Sequence, residues 1–241
     1  MATKADSTLN VAIIPARGGS KRIPRKNIRS FNGLPMISYP IRAALESGVF
    51  DKVVVSTDDQ EIAAIASDFG AEVPFIRDPA LADDHTGTGA VMQDAILQLQ
   101  RSGWHIGVCA CIYATTPLLN SERIKQVFQT FSQNTIDFVF TAAAFSFPIQ
   151  RALLKLPNGG VEAFDKQSIG KRSQDLPPAF HDAGQLYMAN AATWLDSSKG
   201  TFSAHSRMYV LPSHLVQDID NEEDWHRAEL LYRMLQESGE C

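Results

Sequence analysis

Asn10-Val11-Ala12-Ile13-Ile14-Pro15-Ala16-Arg17-Gly18-Gly19-Ser20-Lys21-Arg22-Ile23-Pro24-Arg25-Lys26-Asn27 decides how this chain is read. The segment from Asn10 to Ile14 is an apolar run stopped by Pro15, the pattern of a strand buried on both faces. A loop of Gly, Ser and cations comes next. Arg17, Lys21, Arg22, Arg25, Lys26 and Arg29 place six of the 22 basic residues within thirteen positions, in a protein of net charge −5. Gly18 and Gly19 allow close backbone approach to a ligand, and Ser20 and Asn27 add a hydroxyl and an amide. Backbone N–H groups can wrap the oxygens of a triphosphate while Lys and Arg neutralise them. The spacing fits neither a Gly-x4-Gly-Lys-Ser/Thr loop nor a Gly-x-Gly-x-x-Gly turn. A solvated basic loop that touches nothing is the alternative; its place directly after a first strand weighs against that.

Outward from this stretch, short Val- and Ile-rich runs alternate with helical periods. Helices are predicted over 36–47, 59–69, 89–99 and 121–131, and strands over 53–55, 72–76, 108–113 and 136–142. The expected fold class is α/β, with a Rossmann-like, mostly parallel central sheet covered on both faces. Ligands in such sheets bind outside the carboxyl ends of the strands, so the loops after Ile14, Val55, Ile76 and Tyr113 are where chemistry is sought. Near Phe145 the alternation fails. Residues 146–182, which include Pro148, Pro157, Pro177 and Pro178, read as an excursion from the sheet. Regularity returns at 185–188 and 207–211, and a last helix is predicted from about residue 222 to 235.

Three further clusters carry polar chemistry. Arg77 stands at a strand end, within reach of a base or a phosphate, and Thr88 stands just before a helix, as a nucleotide contact or an N-cap. Asp58 and Asp59 read as a helix cap rather than a metal pair. Asp218 and Asp220 fall on one side of an extended segment. Near a triphosphate they suit Mg²⁺, which takes one or two carboxylates plus phosphate oxygens and water. The competing reading makes Asp220-x-x-Glu223 a capping box for the last helix.

Composition narrows the classes. A chain of 241 residues suits a single α/β domain, taken as 1–241 with the 146–182 excursion inside it. Three cysteines, Cys109, Cys111 and Cys241, make neither a disulfide scaffold nor a zinc signature; Cys109 and Cys111 read as buried core thiols. The negative charge and the lack of interleaved aromatics argue against nucleic acid as a partner. No apolar run spans a bilayer, and the first residues lack the apolar core of a signal peptide. The expected location is cytoplasmic, with no membrane partner.

The segment Pro15-Ala16-Arg17-Gly18-Gly19-Ser20-Lys21-Arg22-Ile23-Pro24-x-Lys26-Asn27 closely resembles the signature of the CMP-sugar synthetases, cytidylyltransferases that activate nine-carbon keto-acid sugars. The resemblance runs from about residue 10 to 235 and implies a nucleotide-diphospho-sugar transferase type of fold. It implies that Ala16, Arg17, Ser20, Lys21, Lys26, Asn27, Arg77 and Thr88 hold CTP. Arg17, Lys21 and Lys26 then neutralise the departing pyrophosphate, and Asp218 and Asp220 hold Mg²⁺. Residues 172–188, with Arg172-x-Gln174-Asp175-Leu176 and His181-Asp182-Ala183-Gly184-Gln185-x-Tyr187-Met188, look like the pseudaminic acid branch of that family. Tyr113 stands where the sialic-acid branch usually has glutamine. Arg172, Gln174, His181, Gln185 and Tyr187 are the expected sugar contacts. The excursion resembles the family's dimerisation arm, which implies a homodimer and, in relatives, a reach into the partner's site. The implied reaction joins CMP from CTP to the anomeric hydroxyl of pseudaminic acid and releases pyrophosphate. The alternatives are the same chemistry on N-acetylneuraminic, legionaminic or 3-deoxy-manno-octulosonic acid, and a non-catalytic nucleotide-binding module.

Overall fold

A computed structural model describes residues 8–83, 85–133 and 135–240. The opening residues read for a leader and Cys241 lie outside the described residues. In chain order the elements are β1 (Leu9–Pro15), β2 (Ser30–Phe31), β3 (Leu34–Pro35), α1 (Ser38–Ser47), β4 (Lys52–Ser56), α2 (Gln60–Asp68) and α3 (Thr88–Arg101). After these come β5 (Ile106–Ile112), α4 (Ser121–Ser132), β6 (Phe138–Ala144), β7 (Leu153–Lys155), β8 (Val161–Ala163), β9 (Phe180–Asn190), α5 (Ala191–Leu195), β10 (Ser206–Leu211) and α6 (Glu222–Ser238).

The main sheet has six strands in the order β10-β6-β9-β5-β1-β4. It is parallel except for β9, which runs antiparallel between β5 and β6. The expected α/β, mostly parallel sheet is therefore present. Its helices cover both faces because the strand side chains alternate. Ala12, Ile14, Val53, Val55, Ala110 and Ile112 face one core with Ile41, Ile62 and Val127 from α1, α2 and α4. Val11, Ile13, Val54, Cys109 and Cys111 face the other with Met92, Ile96 and Trp194 from α3 and α5. Both cysteines are free and buried, and burial pushes their thiols well above the ordinary range, so they are inert core residues.

Three local expectations are corrected. The predicted strand at 72–76 forms only two single bridges, Val54 with Glu72 and Thr57 with Ile76. Pro74 sits in its middle and has no N–H for a ladder. Thr88 is the first helical residue of α3, and the cap position belongs to Gly87 without a side-chain bond. The capping box of α6 pairs Asn221 with Asp224, not Asp220 with Glu223.

Residues 145–179 leave the sheet and carry the β7–β8 hairpin, so the chain rejoins the sheet two residues before the predicted end of the excursion. A third, smaller core lies beneath the first loop. Ile23, Phe31, Met36 and Tyr39 pack with Ile219, Trp225 and Ala228. Phe31 meets Tyr39, Trp225 and Tyr232 edge-on at centroid distances of 5.4, 5.5 and 5.7 Å, a preferred arrangement of ring quadrupoles. This core pins α6 to the segment after β1. No helix among the described residues is long and apolar enough to cross a membrane.

Candidate active site

The basic loop leaves β1 at the carboxyl edge of the sheet. There it lines a pocket of about 550 Å³ with Arg77, Thr88, Tyr113 and Asp220. Arg17, Ser20, Lys21, Lys26 and Asn27 all line that pocket. Ala16 does not; it is buried, and its N–H is spent on the Ser56 carbonyl at 2.9 Å.

The loop is held by its neighbours rather than by regular structure. Gly18 donates its N–H to Asp58 Oδ1 at 3.0 Å. A Cβ on Gly18 would stand 2.6 Å from Asp59 Oδ2, so a side chain there forces Asp59 or the loop to shift. Asp59 caps α2 through the N–H groups of Glu61 and Ile62, both 3.0 Å from Oδ1, and it pairs with Arg25. That pairing comes first among the influences that hold its carboxyl at about 2, far below the usual range. Arg25, at φ +56°, is in the left-handed region that side chains avoid, and its ion pairs with Asp59 and Glu61 hold it there. Asn27 braces the same loop by donating to the Arg17 carbonyl at 2.9 Å.

Two cations meet the carboxylate segment. Arg22 lies 2.8 Å and Lys26 3.8 Å from Asp220 Oδ1. Lys26 also donates to the Ile219 carbonyl. Burial pushes the Lys26 ammonium below its ordinary pKa, and the charges of Asp220 and Asp218 pull it back. Ile219 is fully buried in the third core, which presents the flanking carboxylates outward. Desolvation and then the Asp220 charge raise the Asp218 carboxyl. Two hard oxygen donors flanking one buried residue are a fit for a divalent cation. Among the described residues no third His, Cys, Asp or Glu completes a closed cage, so such a cation would need ligand oxygens.

Arg77 is 2% exposed. Its guanidinium stands 3.6 Å from Asp58 Oδ1, and its Nε finds no hydrogen-bond partner among the described residues. Burial lowers its pKa, with Asp58 opposing. The Nε itself is sealed from solvent, so what Arg77 brings to the pocket wall is a fixed positive charge.

A smaller pocket, of about 150 Å³, adjoins the first through Thr88 and Tyr113, which line both. Asp182, Tyr187, Trp194 and Phe202 complete much of its wall. Thr88 Oγ1 and Tyr113 Oη are 3.2 Å apart, the Tyr113 and Tyr187 rings lie 5.3 Å apart, and Tyr187 donates to Asp182. Burial raises both tyrosine hydroxyls, so they remain neutral donors. Of the five expected sugar contacts, Tyr187 alone lines either pocket. Gln185 is buried and donates to the Leu215 carbonyl at 2.8 Å. His181 is exposed and stands edge-on to Phe145 at 5.0 Å. Arg172 and Gln174 lie exposed on the excursion.

Several residues in or against the pockets were not among the expected site residues. Tyr113 comes directly after β5; the carboxyl-edge rule pointed to the loop behind it, but not to the tyrosine as a wall of both pockets. Asp58 lines neither pocket but braces the larger one through Gly18 and Arg77; its signal, a paired carboxylate, reads as a cap. Trp194 and Phe202 carry no periodic or motif signal.

A cytidylyltransferase family profile matches residues 11–233. The chain is 48% identical over 230 residues to the pseudaminic acid cytidylyltransferase of Campylobacter jejuni subsp. jejuni serotype O:2, covering 95% of this chain and 99% of that protein. It is 32% identical over 221 residues to the post-translational flagellin modification protein B of Campylobacter coli, covering 91% and 93%. A solved structure of CMP:2-keto-3-deoxy-manno-octonic acid synthetase complexed with CTP superposes with a TM-score of 0.69 at 17% identity, covering 96% of this chain and all of that one. The sequence match along nearly the whole chain agrees with the position of the basic loop at the sheet's carboxyl edge: the protein belongs to the cytidylyltransferase family.

Proposed function

We propose that the chain transfers CMP from CTP to the anomeric hydroxyl of pseudaminic acid, giving CMP-pseudaminic acid and pyrophosphate. The observation that carries this is the convergence of Arg17, Lys21, Lys26 and Asp220 in one pocket that shares Thr88 and Tyr113 with a second. The larger pocket takes the triphosphate and cytosine, and the smaller takes the sugar. The near-full-length likeness to a pseudaminic acid cytidylyltransferase supports that choice of sugar.

In this reading the anomeric hydroxyl attacks the α-phosphorus in line, and the α–β bridging oxygen leaves with pyrophosphate. Arg17, Lys21 and Lys26 neutralise charge as it moves onto the leaving group. No covalent intermediate is needed, so the chain's work is positioning and electrostatics. Arg77 adds its positive charge to the wall that faces the nucleotide. Asp218 and Asp220 would hold Mg²⁺, which when bound polarises phosphate oxygens. Arg22, exposed and now on Asp220, would give way to it. Trp194 and Phe202 offer an apolar wall for methyl groups of the sugar.

A homodimer completes the reading. The excursion exposes Phe147 at 84%, Val161 at 69%, Phe164 at 64% and Leu153 at 60%, and apolar side chains bared together mark an interface. Arg172 and Gln174, remote from this chain's own pockets, would then serve the partner's. Val161→Asp is expected to turn a dimer into a monomer on size-exclusion chromatography; an unchanged dimer would defeat the arm's role. A CTP-consuming enzyme of this kind works in the cytoplasm, where the nucleotide pool is.

The test is Mg²⁺-dependent pyrophosphate release from CTP with pseudaminic, N-acetylneuraminic and legionaminic acids side by side. Turnover with pseudaminic acid alone is expected. Turnover with another sugar keeps the mechanism and changes the substrate. CTP binding without release would make the protein a binding module.

A further inference from the structure

The wall of the smaller pocket is shaped by a fault in the sheet. On β6, Phe140 faces Tyr187 of β9, and Ala142 faces Asp182. Two steps along β6 thus oppose five along β9, and the surplus residues bulge. Gly184 turns the bulge at φ +62°, where a glycine is needed. The bulge is tied down on several sides. The Leu186 N–H donates to Thr141 Oγ1 at 3.1 Å, and the Tyr113 N–H donates to the Gln185 carbonyl at 2.9 Å. Gln185 donates in turn to Leu215. Bulges beside active sites re-aim side chains, and this one aims Asp182 into the pocket.

Its carboxylate is fixed at both oxygens. Oδ1 accepts the Gly184 N–H at 3.0 Å, and Oδ2 accepts the Tyr187 hydroxyl. Each oxygen keeps a further acceptor site. Every other side chain lining this pocket is uncharged, whereas the adjoining pocket gathers Arg17, Lys21, Lys26 and Arg77. The two pockets therefore differ in sign. A keto-acid sugar also has two unlike ends, an anionic carboxylate and a body rich in O–H and N–H donors.

We propose that Asp182 orients and selects the acceptor sugar: its carboxylate accepts hydrogen bonds from hydroxyl or acylamino N–H groups, and it repels the sugar's own carboxylate toward the cations of the larger pocket. This rests on the smaller pocket being the sugar end of the proposed reaction. Attraction for donors and repulsion of an anion act together, which is how a site builds specificity.

The experiment is steady-state pyrophosphate release with CTP and sugar varied in turn, beside CTP binding by calorimetry. Wild type, Asp182→Asn, Asp182→Ala and Tyr187→Phe are compared. Asp182→Asn keeps the shape and an acceptor for Gly184 but loses the charge, so it guards against a fold defect. The expected result for Asp182→Asn and Asp182→Ala is a sugar KM raised about 10- to 100-fold, with CTP KM and CTP affinity unchanged. Tyr187→Phe, which frees the carboxylate to turn, is expected to raise sugar KM by a smaller factor. A sugar KM unchanged in Asp182→Asn, or a parallel rise in CTP KM, overturns the assignment of Asp182 while an active wild type keeps the reaction. A fall in kcat at unchanged sugar KM overturns it in favour of a proton acceptor. No release by the wild type with any keto-acid sugar overturns the underlying reading, and the assignment with it.

Discussion

Gly18→Ala perturbs the basic loop while leaving every charge in place. The new Cβ would lie 2.6 Å from Asp59 Oδ2, 3.0 Å from its Cβ and 3.2 Å from its Cγ. Ordinary contact needs several tenths of an ångström more, so either Asp59 or the loop must move. If Asp59 moves, it gives up its cap on α2, worth about 1 kcal/mol, and its hold on Arg25, worth up to about 1 kcal/mol at a partly exposed pair. A loss of about 1–2 kcal/mol lowers Tm by about 2–8 °C in a domain of this size. If the loop moves instead, the 3.0 Å bond from Gly18 to Asp58 breaks. A hydrogen bond to a charged group is worth about 1.5–3 kcal/mol, so CTP affinity falls by about tenfold or more as Arg17 and Lys21 shift. Thermal unfolding and calorimetric CTP titration read the two routes separately. Gly19→Ala is the control for stability, because its Cβ meets nothing within 4 Å, and its Tm is expected to match wild type. The reasoning fails if Gly18→Ala keeps its Tm within about 1 °C and its CTP affinity within about twofold.

Lys21→Ala and Lys26→Ala are each expected to lower turnover about 10²- to 10³-fold; near-normal turnover removes that lysine from charge stabilisation. Asp218→Ala is expected to abolish the dependence of rate on Mg²⁺ concentration while the fold melts as before, and a normal Mg²⁺ response defeats the metal role. Acid stability tracks Asp59, whose folded pKa of about 2 lies below the ordinary 3.8. A depressed carboxyl stabilises the fold above its unfolded pKa, and that contribution is lost as pH falls through the folded one. The stability gap between wild type and Asp59→Asn in urea titrations is therefore expected to be on the order of 2 kcal/mol near neutrality, and to close between about pH 4 and pH 2. A gap of the same size at both ends refutes the pairing.

The sheet was legible where burial on both faces writes a continuous run, as in Val11 to Ile14. The direction of β9 was not, because a short buried run such as that of 185–188 reads the same either way. Its first residues were hidden for another reason: Pro177, Pro178 and Gly184 look like loop residues, and Gly184 is in fact the turn of a bulge inside a strand. The segment 72–76 misled in the opposite sense, since its apolar residues suggested a strand that Pro74 prevents. The caps slipped by one position, from Asp220 and Glu223 to Asn221 and Asp224, because the same spacing recurs in an acidic run. In the site, the cationic loop announced itself through local charge density. The second pocket did not, because Asp182, Trp194 and Phe202 meet only through the crossing of β9 beside β5.

The third core has a consequence for how the protein is made. Lys26 reaches the Ile219 carbonyl and Arg29 reaches Glu222, each across 193 positions of sequence. During synthesis the strands β1, β4 and β5 leave the ribosome early and can pair while the basic loop still lacks Ile219 and Trp225 beneath it. A nascent chain halted before α6 therefore has the strands but lacks Trp225 and Ala228 under the loop and Glu222 on Arg29. The basic loop gains this floor only when the last helix docks on Phe31 and Tyr39, so the two ends of the chain complete one site together.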